Sequence, residues 1–221
     1  MKRAMTETAK AEKAKQILQI ATEMYRGSTF EALKMSSVAK AANVSNGTLF
    51  FYYKTKEILF MEMLFLEYEK RFDHLLDLLR PCGKMTYEQF KAFFLGEMDG
   101  LLDADSLLIR LSVIKSTVLE KNIDQETAVK GSLYLHDSFR RIAEAMMEKA
   151  DFLSAEAFYE LMLAQNAIIV GYVNMAVLPQ AIEEAIDEHG LHGFRLDFRH
   201  SALTAMAYYL DGWFAKRGSS T

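Results

Sequence analysis

The chain has 221 residues, 51% of them apolar, which is enough for one large or two small folded domains, and with only two prolines, Pro81 and Pro179, it reads as all-helical. Its net charge of −4 divides unevenly: residues 1–56 carry ten Lys/Arg and four Glu, a net of +6, and residues 57–221 carry sixteen against twenty-six, a net of −10, as expected of a basic head that meets a polyanion and a body that does not. One cysteine, Cys82, excludes an internal disulfide and fits a reducing cytosol, the polar first fifteen residues do not form a signal peptide, and no apolar run is long enough to span a membrane.

The first expected helix covers residues 9–26, with Ile17, Leu18, Ala21, Met24 and Tyr25 recurring at three and four on one face. Lys10, Lys13 and Lys15 crowd its start, where the helix dipole is already positive, a placement that favours nearby phosphate over self-stability. A second helix is expected at Met35–Ala42, with Val38 inward and Ala39 and Ala42 small enough for close crossing. Asn43-Val44-Ser45 then reads as a turn: asparagine tolerates the left-handed conformation, and Ser45 is a good N-cap. The third helix, Asn46–Tyr53, places Leu49 and Tyr53 on one face and leaves Asn46, Thr48, Phe51 and Tyr52 to point elsewhere. Two short helices, a tight turn and a polar-aromatic second helix are the sequence form of a helix-turn-helix, whose second helix enters the DNA major groove.

Thr55 is placed to cap a long helix from Lys56 to about Arg80, apolar nearly all round at its start and roughly 37 Å long at ~1.5 Å per residue. Pro81-Cys82-Gly83 stops it, and Thr86 and Gln89 open the next helix at capping-box spacing. Further helices are expected at Ser106–Leu119, at Gln125–Lys149 with Val129, Leu133, Leu135, Phe139, Ile142, Ala143 and Met146 inward, from Ser154 to about Met175, between Pro179 and Gly190, and at Arg195–Ala215. The total is about ten helices.

Base edges are read from the start and exposed face of a recognition helix, which makes Asn46, Thr48 and Phe51 the candidates. Asparagine pairs bidentately with adenine, and a phenyl ring fits a thymine methyl. Gly47 permits close approach of the backbone. Ser36, Ser37, Ser45, Tyr52 and Lys56 supply hydroxyls, helix starts and a cation for phosphate. Other constellations are weaker. His189 and His192 lie across a glycine-containing connector with no nearby cysteine, Asp103 and Asp105 read as caps, and Cys82 sits in a turn. No catalytic residue, metal site or cofactor is expected, and the chain reads as a non-enzyme.

Residues 17–66 resemble the DNA-binding domain of TetR-family transcriptional regulators. The resemblance runs without gaps through Val38-Ala39-Lys40-Ala41-Ala42-Asn43-Val44-Ser45-Asn46-Gly47-Thr48-Leu49-Phe50-Phe51-Tyr52-Tyr53-Lys54-Thr55-Lys56-Glu57-Ile58-Leu59, against the usual "IA..AGVS.GTLY.YF.SKE.L". Asn43 replaces the usual turn glycine. Phe50 replaces a tyrosine whose phenol commonly touches phosphate, and Lys34 stands where a capping Thr or Ser is common. The resemblance implies a helix-turn-helix domain over 1–55, an effector-binding and dimerisation domain over 56–221, and a homodimer on a near-palindromic operator. It implies dimer contacts through the last two long helices, where wide apolar stripes hold Phe158, Leu161, Gln165, Ile168 and Ile169, then Leu203, Met206, Leu210 and Trp213. It also implies a small-molecule pocket in the body, with Phe93, Phe94, Phe139, Met162 and Tyr172 as liners for a largely apolar effector. The expected function is that of a cytoplasmic repressor released from DNA by its effector. A helical carrier or sensor of hydrophobic molecules without DNA binding is the alternative.

Overall fold

The structure is a computed structural model that describes residues 6–218. Ten α-helices run in order: α1 (Glu7–Arg26), α2 (Met35–Ala41), α3 (Asn46–Tyr52), α4 (Lys56–Leu79), α5 (Tyr87–Leu101), α6 (Leu107–Ile114), α7 (Gln125–Met147), α8 (Ala155–Ala176), α9 (Gln180–Glu188) and α10 (Phe198–Gly218). Most of their starts carry the caps that the sequence supplies. Thr6, Ser45, Thr86 and Ser154 each accept a backbone N–H through the side chain, and Thr86 with Gln89 forms a complete capping box. Thr55 does the same for α4, accepting from the Ile58 amide at 3.1 Å. Lys34, as expected from its side chain, offers α2 no cap hydrogen bond.

Three stretches depart from the sequence expectation. The helix expected at Ser106–Leu119 is α-helical to Ile114, continues as a π-helical turn over Lys115–Leu119 and tightens to a 3-10 turn at Glu120–Asn122. The last helix starts at Phe198 rather than Arg195. His192–Phe194 forms a separate 3-10 turn, and the Asp197 carboxylate accepts from the His200 amide at 2.9 Å, fixing the start three residues later. In α7, Val129 and Leu133 are 51% and 60% exposed, whereas Thr127, Gly131 and Ser138 are buried. The cause is at Gly131, where a Cβ would collide with the Phe65 ring. That close approach turns the small and polar side of α7 inward. The expected stripe resumes at Ile142, Ala143 and Met146, all buried.

The helices group into two compact units. The first comprises the chain up to Tyr68 together with Ile114–Gly131, and the second comprises Glu69–Val113 and the chain from Ser132 onward. Helices α4 and α7 each begin in the first and end in the second. The first unit is organised on Ile17, Leu49, Leu59, Phe60, Met63 and Leu64, all essentially inaccessible, with Tyr25 and Phe30 edge-on to Phe60 at 4.8 Å. In the second unit α10 packs on α8 and α5. A buried polar ring lies within it: Arg71 Nε donates to Glu97 at 3.2 Å, Gln165 Nε2 donates to Glu97 at 2.9 Å, and Arg71 Nη2 donates to the Gln165 carbonyl oxygen. Each member satisfies the other two, which is the condition for holding a charge pair out of water.

Candidate nucleic-acid interface

The interface is built on the turn between α2 and α3. Asn43 adopts φ 52°, the left-handed conformation expected of the residue that stands in place of glycine. Its amide donates to Lys40 and that of Val44 donates to Ala39, closing α2. Ser45 then starts α3, accepting from the Thr48 amide at 3.1 Å with its Oγ 2.9 Å from the Thr48 hydroxyl. The two short helices are pinned to α1 by hydrogen bonds from opposite directions. Lys13 Nζ donates to the Ala42 carbonyl at 3.4 Å, and the buried Tyr53 hydroxyl donates to the Ala14 carbonyl at 3.0 Å. Burial raises the Tyr53 phenol well above its usual range, so it stays protonated as a donor.

Helix α3 buries Leu49 and leaves its other six residues at or near the surface. Asn46 and Gly47 are exposed at its start, Thr48 is half-buried, and Phe50 and Phe51 are 45% and 66% exposed. Of the candidate base-reading side chains, Asn46 and Phe51 are exposed and Thr48 is half-buried. Two exposed phenylalanines on a seven-residue helix have no role in this chain's core. The rings of Phe51 and Tyr52 meet edge-on at 5.3 Å, and Lys10 Nζ lies over the Phe51 face at 5.3 Å. Ser36, Ser37 and Ser45 are exposed at the two helix starts.

Lys56 differs from a freely solvated phosphate ligand. Its ammonium lies 4.3 Å over Phe30 and 5.9 Å from the centre of Phe60, and partial burial lowers its pKa from the usual lysine value. Its neighbour Lys54 is held more tightly by contacts that sequence spacing did not suggest. Lys54 Nζ donates to Asp124 at 2.6 Å and lies 3.8 Å from Glu126, while the Thr55 hydroxyl donates to the Asn122 carbonyl at 3.4 Å. These partners are some seventy residues away in the chain, and no periodicity or motif links them.

Two family models cover this chain. The tetR-family model of bacterial regulatory proteins matches residues 17–63, and the tetracyclin repressor-like C-terminal domain matches residues 67–217. The chain belongs to the TetR family. A comparison with curated proteins found no match. TetR-family proteins are DNA-binding transcriptional regulators, typically repressors, that respond to ligands and act as dimers.

The TetR body sites expected from sequence are distributed differently from the expectation. Phe158, Leu161, Gln165, Met206 and Leu210 are fully buried in the single chain, and Ile169 and Trp213 nearly so. They lie in the core of the second unit, where α10 packs on α8 and α5. The stripe on α10 is wide because that helix packs on both α8 and α5. Of the expected set, Ile168 and Leu203 are half-buried. The accessible large apolar residues on the same helices are Leu163, 65% exposed, and Met175, 61%, on α8, and Tyr208, 74%, and Phe214, 36%, on α10. Tyr208 lines a groove of about 360 Å³ with Glu160, Tyr209, Gly212, Trp213 and Lys216. Of the expected pocket liners, Phe94 and Met162 are core residues, and Phe93 and Tyr172 are half-buried. Phe139 packs with Phe72 and Tyr159 at 5.4 Å, whereas Phe94 packs with Phe90 at 5.6 Å, so these two expected liners belong to separate ring pairings.

Proposed function

We propose that this TetR-family chain is a cytoplasmic, non-catalytic repressor that binds a near-palindromic operator as a homodimer and leaves it when a small, largely apolar effector binds the body. The observation that carries the reading is α3, which exposes Asn46, Gly47, Phe50 and Phe51 together on a basic head whose own core they do not serve. Asn46, Thr48 and Phe51 read bases, and Ser36, Ser37, Ser45 and Tyr52 with Lys56 hold phosphates. Phe50 presents a ring without the phenol usual in the family, so its contact is apolar. Effector binding acts as a population shift: the state it favours moves α4, which changes the separation of the two recognition helices. Among the described residues no single helix is long and apolar enough to cross a membrane, which accords with this reading.

The test is a titration of duplexes recovered by selection, at two salt concentrations. A dimer that grips phosphates through both heads loses affinity steeply with salt. Binding that is insensitive to salt and to duplex sequence favours the alternative, a carrier of hydrophobic molecules. The departures from the family pattern at Lys34, Asn43 and Phe50 favour that alternative, yet Asn43 adopts the left-handed turn that the motif needs.

A further inference from the structure

The recognition helix ends against a segment from far along the chain. Directly after α3, Lys54 pairs with Asp124 at 2.6 Å and Thr55 donates to the Asn122 carbonyl at 3.4 Å. Asp124 is already engaged, because its other oxygen caps α7, accepting from the Thr127 amide at 2.9 Å and the Thr127 hydroxyl at 2.7 Å. One carboxylate thus joins the start of α7 to the end of α3. A second ion pair lies beside it, Lys130 to Glu62 at 2.8 Å, linking α7 to α4. Lys54, Asp124, Thr127, Lys130 and Glu62, with Tyr52 and Tyr53, line a cleft of about 160 Å³. The segment that delivers Asn122 and Asp124 is the irregular one: a π-helical turn at Lys115–Leu119 followed by a 3-10 turn. π-Turns inside helices insert a residue and are frequent at functional positions.

We propose that Asn122 and Asp124 are positioning residues for DNA recognition, forming a latch that fixes the C-terminal end of the recognition helix through Thr55 and Lys54. The proposal rests on the DNA-binding reading above. The latch also pairs Lys54, the cation nearest the end of α3, with a carboxylate that competes with phosphate for it. Opening it has two consequences: α3 loses an anchor, which weakens sequence-specific binding, and a cation is freed while an anion is removed, which strengthens non-specific binding. The ratio of specific to non-specific affinity falls on both counts. An exposed ion pair couples weakly, so the fall is about 1.4- to fivefold.

Asp124→Asn is the informative variant, since asparagine caps a helix as well as aspartate does and leaves α7 intact while removing the nearer carboxylate from Lys54, which keeps only Glu126 at 3.8 Å. Full-length wild type, Asp124→Asn, Lys54→Gln and the double variant are titrated with a duplex selected from a random library by the wild type, and with a scrambled duplex. The latch predicts a lower affinity ratio in Asp124→Asn and a double variant no worse than the worse single one. It also predicts a salt slope steeper by about one for Asp124→Asn than for the double variant, because the freed Lys54 takes a phosphate. Independently of DNA, amide exchange over residues 46–53 is faster in Asp124→Asn than in wild type, with equal exchange in α8. Unchanged affinity ratio and unchanged exchange overturn the latch while leaving DNA binding intact. Failure of the wild type to select any sequence overturns the DNA-binding reading, and the role in recognition falls with it, whatever the exchange result.

Discussion

Ser45 and Asn43 show how few residues shape the reading head. Ser45 satisfies one of the open amides at the start of a helix only seven residues long, which has little stability of its own. Ser45→Ala is expected to cost about 1 kcal/mol in chemical denaturation. Asp124 carries a pH signature. The hydrogen bond from Lys54, helped by those from Thr127, holds its carboxyl well below the ordinary range. An unfolded aspartate titrates at about 3.9, so the unfolded chain takes up this proton first as acid is added. Its contribution is therefore complete above about pH 5 and is lost progressively as pH falls through 4 towards the depressed folded value. The stability gap between wild type and Asp124→Asn should be constant near neutrality and narrow in acid. These three residues also mark what is legible at this scale. The Ser45 cap and the left-handed Asn43 follow from side-chain chemistry acting on the local backbone. The partners of Asp124 depend on where a distant turn folds back, and no local preference encodes that.

Among the elements, α3 and α7 stand at opposite ends of legibility. The face of α3 was readable because its apolar residues divide clearly: Leu49 with the following Tyr53 goes in, and the rest are too many for so short a helix to bury. The face of α7 was misleading because Val129 and Leu133 continue an apolar stripe that the fold does not use there. A contact between Gly131 and Phe65 overrides hydrophobic periodicity, and glycine is the only residue that allows the ring so close. Gly131→Ala should then destabilise the protein by about 1–3 kcal/mol, read from the denaturation midpoint, although alanine is the better helix former. Helices α8 and α10 were legible in extent but not in role. A wide apolar stripe fits a helix packed twice inside one chain as well as one packed once inside and once on a partner. In the folded chain Phe158 and Leu210 are buried while Leu163 and Tyr208 are exposed, which makes the latter pair the candidate positions for a second copy.

For the whole molecule, the all-helical class, the helix-turn-helix and the basic-head, acidic-body charge division were all present in composition and motif, and the family matches at residues 17–63 and 67–217 agree with the family read from the motif. Effector identity was not, because a pocket is lined by residues that the core also uses. If the homodimer forms through the outer sides of α8 and α10, the pair Leu163→Glu and Tyr208→Glu should shift sedimentation from dimer to monomer, with little loss of folded stability at two already exposed positions. The same variant should bind a single half-site only weakly, since a dimer holds two half-sites one or more DNA turns apart, ~34–36 Å per turn. The most direct test of recognition by α3 is selection of duplexes from a random library by wild type and by Asn46→Ala. The wild type should return one near-palindromic site, and Asn46→Ala should return the same site with one position per half-site relaxed, at a cost of about 1–3 kcal/mol. Recovery of no preferred sequence by the wild type, or an identical site and affinity for both proteins, would contradict it.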